Sequence, residues 1–329
     1  MTHEVFVLDS AQVPHAHEVK LEEEVLQDCA TVKLLHVNDE GDFAPYCERA
    51  AAVIIWHQLD LTAATISRLS QARVIVRNGV GFENVDIEAA AAQGIPVSNV
   101  PDYGTEEVAD HAIALCLALN RQLRQLMEDV GRGDWRWQIA SSTRRTRGQV
   151  FGVVGCGRIG TATALRAKAL GYQVHFYDPY VSSGYEKSIG VERVDRLDDL
   201  LREADVISIH VPLTEETCHL IDVRELKLMK PTAYLVNTAR GPVVAHAAIE
   251  RALAEKWIAG CALDVLENEP CGLELFTRFS NCLLTPHSAF YSQESIEDMR
   301  RSSAQIVREA LLHKRLMNVV NGVREPVSV

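Results

Sequence analysis

Two α/β domains built on doubly wound parallel sheets are the architecture this sequence predicts. Three observations carry the prediction. Short apolar runs alternate with helical stretches along most of the chain. The length of 329 residues exceeds what one hydrophobic core usually serves. The third observation is local: Gln149 to Pro179 reads as a strand, a glycine-rich turn, a helix and a second strand in close succession.

In that stretch Val150 to Val154 enters the turn as a buried strand, and Gly155, Gly157 and Gly160 stand at G-x-G-x-x-G spacing where the helix begins. The helix keeps Ala162, Leu165 and Ala169 near one face and stops at Gly171, a residue suited to a left-handed cap. Gln173 to Tyr177 form the second strand and deliver Asp178 at its end, 18 positions after Gly160. Gly155 permits the tight turn, Gly157 has no side chain to block a pyrophosphate, and Gly160 lets helix and strand pack closely. The unpaired amides at the helix start then face the phosphate anion. Asp178 can accept hydrogen bonds from both ribose hydroxyls, and its charge repels the extra phosphate of NADP; Pro179 and Tyr180 follow it, with no arginine to receive that phosphate. This is the Rossmann dinucleotide-binding pattern, with NAD favoured over NADP.

Composition fits a globular enzyme, 47% hydrophobic and 24% charged. A net charge of -12 argues against a nucleic-acid partner. Met1 to Ser10 begins directly with a strand-like run and lacks the make-up of a secretion signal, and no stretch approaches the length of a membrane span, so a cytoplasmic location is expected. The eight cysteines are scattered without the pairing of a zinc site, which predicts buried thiols and no metal.

Before the glycine unit, Val5 to Leu8, Val32 to His36, Ala52 to Ile55 and Val74 to Arg77 read as strands, with a helix over Thr62 to Leu69. The fourth strand runs into Arg77 and the Gly79-Val80-Gly81 loop, whose backbone amides could approach a carboxylate. Gly104 to Leu126 is the longest helical stretch, with Val108, Ala112, Leu115, Leu119 and Leu123 at helical spacing, Thr105 as its cap, and Glu106 and Glu107 in the first turn. It is expected to open the second domain, giving residues 1–102 with 293–329 as one domain and 103–292 as the other. Asp129 to Gly148, carrying Trp135, Trp137, Arg144, Arg145 and Arg147, is less regular and reads as surface and subunit contact, or as arginines reaching an anionic substrate from a neighbouring subunit.

After the glycine unit the alternation resumes. Val206 to Val211, Ala233 to Asn237, a strand within Ile258 to Val265, and Asn281 to Thr285 lead into a final helix over Ser292 to Leu312; the tail at Asn321 is expected to return to the first domain. Polar groups fall where these strands end, at His210, at Thr238 to Arg240, at Asp264 and at His287, and strand ends are where open parallel sheets bind ligands. Arg240, Glu269 and His287 together suit hydride transfer to a 2-oxo acid. An arginine fork holds the carboxylate and polarises the carbonyl. A histidine with a neighbouring carboxylate supplies the proton.

Here the chain resembles the D-isomer-specific 2-hydroxyacid dehydrogenases, and within them the C-terminal-binding-protein (CtBP) branch. The resemblance rests on RVIVRNGVGFENVDI, EEVADHA, VVGCGRIGTATALRAKALGYQVHFYDPY, LVNTARG, ALDVLENEP and TPHSAFYSQES, and runs from about Arg73 to about Asn321. It implies a flavodoxin-like substrate domain beside the NAD-binding domain, and a homodimer formed through the latter. It implies His287 as general acid/base, Glu269 tuning it, and Arg240 orienting substrate. Cofactor contacts are implied for Val108, Arg158, Ile159, Asp178, His210, Val211, Pro212, Thr217, Thr238, Ala239 and Ala289 beside the glycines, with Asp264 taking the nicotinamide carboxamide. Arg77, Gly79, Val80, Gly81 and Phe290 would shape the substrate pocket. Two departures stand out: Phe290 where the branch usually has tryptophan, and Pro242, Ala245 and His246 where relatives often carry an acidic pair, a lost helix cap that predicts a local cost of about 1 kcal/mol. Glu269 argues against formate, whose relatives carry glutamine there; phosphite stays open. The same resemblance also admits an NAD-sensing scaffold that binds partner peptides, for which the full Arg, Glu and His set would be needless.

Overall fold

The computed structural model of the protein describes residues 3–269 and 272–323. Pro270, Cys271, and residues 324–329 of the second segment expected for the first domain lie outside the described residues. The chain forms two compact units, Met1–Tyr103 with Ser292–Val329, and Gly104–Tyr291.

In the first unit, strands β1 (His3–Ser10), β2 (Ala30–Val37), β3 (Ala50–Ile55), β4 (Ile75–Arg77) and β5 (Val97–Asn99) alternate with helices α1 (Lys20–Leu26), α2 (Ala63–Ile66) and α3 (Ile87–Ala92). All pairings are parallel, in the flavodoxin-like order β2-β1-β3-β4-β5. A parallel sheet is covered on both faces, so its strands read as unbroken apolar runs. β1 illustrates this: Val5 and Val7 enter one core cluster while Phe6 and Leu8 enter the other. The helix Gln293–Leu311, opened by a reciprocal Ser292 and Ser295 cap, covers the first of these faces with Met299, Ile306, Val307 and Leu311. Arg300 on that helix grips the buried Glu22 of α1 through two bonds of 2.7 Å. The tail returns as expected. Val319 bridges Ser98, and Asn321 accepts from Val97 N at 3.1 Å and donates to Ile95 O at 2.8 Å. β5 is a strand the sequence does not announce: Ser98 and Asn99 leave it without an apolar run, and part of its pairing comes from the other end of the chain.

The second unit opens with α4 (Thr105–Asn120) and α5 (Leu123–Gly131), then runs β6 (Val150–Val154), α6 (Arg158–Ala169), β7 (Gln173–Tyr177), α7 (Tyr185–Ile189), β8 (Glu192–Arg193), α8 (Leu197–Glu203), β9 (Val206–Ile209), α9 (Val223–Leu228), β10 (Tyr234–Asn237), α10 (His246–Ala254), β11 (Gly260–Leu263), α11 (Leu273–Thr277) and β12 (Cys282–Leu284). Seven parallel strands in the order β12-β11-β10-β9-β6-β7-β8 give the Rossmann arrangement, with the change of direction between β6 and β9. Ile207, Ile209, Leu235 and Leu263 fill one face; Phe151, Val153, Phe176 and Val236 fill the other, against Ala112, Cys116 and Leu119 of α4.

Three expectations need correction. The long helix over Gly104 to Leu126 is two helices, broken where Gln122 takes φ +52°. Its spacing continues past the break, but Arg124 Nη1 donates to Cys282 O at 2.7 Å and Gln125 to Ser280 O at 2.8 Å, and these bonds turn the chain. Thr105 is the first helical residue and not the cap: Gly104 occupies the cap position, and the buried Thr105 hydroxyl has no partner among the described residues. Buried thiols hold for Cys47, Cys116, Cys156, Cys261 and Cys282, whereas Cys29 is half-buried and Cys218 is exposed.

Candidate active site

The end of β6 makes a close turn at Gly155, whose φ of +88° and contacts with His210 O and Val211 at the end of β9 leave no room for a side chain: a Cβ there would lie 2.7 Å from Val211 Cγ1. Gly160 is more constrained, since its Cβ would fall 1.9 Å from Gly155 O. Around Gly157, by contrast, nothing beyond its own chain neighbours lies within 4 Å of the added carbon, and as the cap of α6 it offers no side-chain bond to the first helical amides. That is an open anion cradle at the start of a twelve-residue helix, with Arg158 and Ile159 in its first turn. Asp178, at the end of β7, is held in place from two sides: Cys156 N–H donates to Oδ2 and Tyr180 N–H to Oδ1, each at 2.8 Å.

The remaining strand ends add polar groups to the same edge. Burial pushes the His210 imidazole down to about 3, which keeps it neutral, and its Nε2 lies 2.8 Å from Ser208 Oγ. Thr217 Oγ1 donates to Pro212 O at 2.6 Å and closes the loop after β9. After β10, Asn237 shapes the turn by accepting from Ala239 N at 3.0 Å and donating to Arg240 O at 2.9 Å. The Thr238 hydroxyl is buried with no hydrogen-bond partner among the described residues, an orphan that a ligand amide would satisfy. Together the open cradle, the fixed Asp178 carboxylate and the orphaned Thr238 hydroxyl fit a dinucleotide. Val108 is buried in α4.

The three chemical residues lie on neighbouring strand ends of this sheet. His287 Nδ1 donates to Glu269 Oε2 at 2.7 Å, because a carboxylate only accepts. The imidazole therefore keeps its Nδ1 proton and presents Nε2. Burial alone would raise the Glu269 carboxyl; the His287 hydrogen bond and charge, the Leu266 N–H and the Arg240 charge hold it below the ordinary carboxylate range. Arg240 is anchored by Nη1 on Ala239 O at 2.7 Å. The Phe290 ring stands edge-on to His287, 6.1 Å between centroids.

His287 sits at φ +49°, a strained position for a residue with a Cβ, and Asp264 maintains it. The backbone O of Asp264 accepts from His287 N at 2.8 Å. Its buried carboxylate accepts from Thr285 Oγ1 at 2.5 Å and from Ser288 N and Ala289 N at 2.9 Å each. His111 of α4 adds a contact of 3.0 Å to Thr285 Oγ1. Sequence reasoning gave His111 no role, although it lies in a motif that carried the family resemblance. It also missed Arg193, which donates to Asp178 O at 3.0 Å and Val181 O at 3.1 Å from β8. The expected capping deficit at Ala245 is made good from elsewhere: Glu267 Oε1 accepts from His246 N at 3.0 Å.

In the first unit, Arg77 is buried at the end of β4, donating to Asn78 O at 3.1 Å. Gly79, at φ +137°, lies so close that a Cβ would sit 2.0 Å from Arg77 Nη1. Asn99 Nδ2 donates to Val80 O at 2.5 Å and fixes the loop through Gly81.

The sequence pattern described as D-isomer specific 2-hydroxyacid dehydrogenase, NAD binding domain, matches residues 113–289, more than half of the chain. The chain belongs to the D-isomer-specific 2-hydroxyacid dehydrogenases. This dehydrogenase is 41% identical over 244 residues to a glyoxylate reductase of Korarchaeum cryptofilum, covering 73% of this chain and 72% of the relative. It is 42% identical over 246 residues to a glyoxylate reductase of Thermococcus litoralis, covering 73% of each. The crystal structure of an Aquifex aeolicus D-lactate dehydrogenase complexed with NAD and lactic acid superposes with a TM-score of 0.83 at 31% identity, over 93% of this chain and 95% of that one. The protein is thus an NAD-binding 2-hydroxyacid dehydrogenase with two Rossmann-like domains. Among the described residues no cluster of His, Cys, Asp and Glu could hold a metal ion, and no helix is long and apolar enough to cross a membrane.

Proposed function

We propose that the protein interconverts a small 2-oxo acid and the D-2-hydroxy acid, with His287 as general acid/base, Glu269 as its partner and Arg240 orienting the substrate. The observation that carries this reading is the 2.7 Å bond between His287 and Glu269, with the Arg240 charge acting on the same carboxylate, at one edge of the nucleotide-binding sheet. NADH held at the Gly155 to Gly160 turn and Asp178 would supply the hydride for carbon 2 of the oxo acid. His287 Nε2 gives its proton to the carbonyl oxygen, while Nδ1 keeps its own proton and donates it in the hydrogen bond to Glu269. In the reverse direction the neutral imidazole takes the hydroxyl proton. Arg240 polarises the carbonyl; in the first unit, Arg77 with the Gly79 to Gly81 backbone offers a carboxylate-binding loop.

NADH is preferred over NADPH, because the Asp178 carboxylate suits ribose hydroxyls and repels a phosphate. The protein pairs through its NAD-binding domain. Support comes from Leu123, Met127 and Val130 of α5, exposed one helical turn apart, with Trp135 and Trp137 exposed after them. A cytoplasmic location agrees with the free thiols of the seven described cysteines. The test is NADH oxidation with glyoxylate, hydroxypyruvate, pyruvate and bulkier 2-oxo acids, beside sedimentation for the dimer. Turnover of at least one acid is expected. Tight NADH binding without turnover of any would replace the enzyme by the scaffold reading.

A further inference from the structure

Glu269 is carried by the loop after β11, and that loop is clasped against the start of α10. Gly241 lets the two approach: a Cβ there would lie 2.0 Å from Leu266 C and O and 2.5 Å from Glu267 N. Across this contact the bonds are reciprocal. Glu267 N–H donates to His246 Nε2 at 3.1 Å, and Glu267 Oε1 accepts from His246 N at 3.0 Å. His246 is buried, and its ring stands edge-on to Phe276 of α11 at 5.1 Å. Two residues further on, Glu269 Oε1 folds back onto Leu266 N at 3.0 Å while Oε2 meets His287.

An imidazole nitrogen that accepts from a backbone N–H must carry no proton. His246 therefore works only as the neutral ring with its proton on Nδ1. Protonating Nε2 would set two donors against each other and remove the acceptor from a half-buried N–H. The charged groups facing His246 are Glu267 and Glu269 from the loop and His219 from the segment before α9. Burial, then His219, push His246 down, against the two carboxylates. His219 bonds Glu267 Oε1 through Nε2 at 3.0 Å, a contact in which it donates whether or not it is charged. The acid-labile bond of the clasp is therefore the one to His246 Nε2.

We infer that His246 is a positioning residue for the Glu269 and His287 couple: its neutral Nε2 holds the loop that aims Glu269, and protonation of that nitrogen releases the loop and lowers turnover. The inference rests on the reading of Glu269 and His287 given above. It makes the acid side of the rate profile a property of a residue that touches neither substrate nor cofactor.

The test is kcat for oxo-acid reduction between about pH 5 and 8, for the wild type, His246→Gln and His246→Leu. The wild type is expected to lose turnover on the acid side. Gln supplies a carbonyl acceptor that does not titrate, so H246Q should lose that acid limb. H246L fills space but accepts nothing, and should lower kcat about tenfold at neutral pH, less than a 1 Å misplacement costs, with NADH affinity within about threefold of wild type. A second readout needs no variant. In the wild type with NADH bound, the protection factor of the Glu267 amide, its exchange rate set against the intrinsic rate at each pH, should fall at the acid end, while core amides of β6 stay protected. An acid limb that persists in H246Q, or a Glu267 amide equally protected across the range, would overturn the inference. If His287→Ala turned over like the wild type while the amide behaved as expected, the clasp would stand and the reading of the couple would fall.

Discussion

Asp264→Asn separates two roles for one carboxylate. The family resemblance gives Asp264 to the nicotinamide carboxamide; in the structure its oxygens accept from Thr285 Oγ1, Ser288 N and Ala289 N. Asparagine keeps one oxygen and replaces the other with an NH2 group. If the oxygen stays on Thr285 and Ser288, the NH2 faces the Ala289 N–H; if it turns to Ala289, the NH2 faces Ser288 N–H. Either way a buried charge-assisted bond is lost, about 1.5 to 3 kcal/mol. For a unit of this size each kcal/mol moves Tm by about 2 to 4 °C, so a fall of roughly 3 to 12 °C is expected by calorimetry. The released segment carries His287 at φ +49°, and a positional error approaching 1 Å should lower kcat by about 10- to 100-fold. NADH affinity, measured by fluorescence titration, should change by less than about threefold. Unchanged Tm and kcat with weakened NADH binding would refute this account and return the residue to the cofactor.

His287→Ala should lower kcat by about a hundredfold or more and leave NADH affinity nearly intact, read from steady-state kinetics beside titration. Asp178→Ser should raise the NADPH to NADH ratio of kcat/KM by about tenfold, as relief of roughly 1.4 kcal/mol of repulsion would; an unchanged ratio removes the ribose contact. Glu269 is held below its ordinary 4.5, so its pairing stabilises the fold at higher pH and fades as pH falls through the lowered native value. Glu269→Gln should therefore show its full Tm deficit above about pH 4.5 and a shrinking one below. A deficit independent of pH would show that the charge is not what matters.

Residues that announce themselves were legible in the sequence. The glycines of the turn after β6, Asp178 after β7, and Arg240, Glu269 and His287 at later strand ends could be placed at the strand ends from residue type and position alone. The strands buried on both faces were visible as apolar runs. What stayed hidden depends on partners distant in the chain. β5 is completed by Val319, and Gln122 breaks a helix because Arg124 and Gln125 bond carbonyls near residue 280. Ala245 looked like a lost cap because its substitute, Glu267, comes from another loop. Nothing in the sequence says that Thr285, Ser288 and Ala289 donate to Asp264.

The first unit is assembled from both ends of the chain, and this orders its birth on the ribosome. Its five strands emerge early, yet one face of their sheet waits for Met299, Ile306, Val307 and Leu311, which are translated only after the whole of Gly104–Tyr291. The continuous second unit can mature first, while a bare aliphatic surface upstream needs shielding until the last helix arrives. Truncations that remove Gln293–Leu311 should therefore be seized by chaperones or aggregate, even though they leave Arg240, Glu269 and His287 untouched.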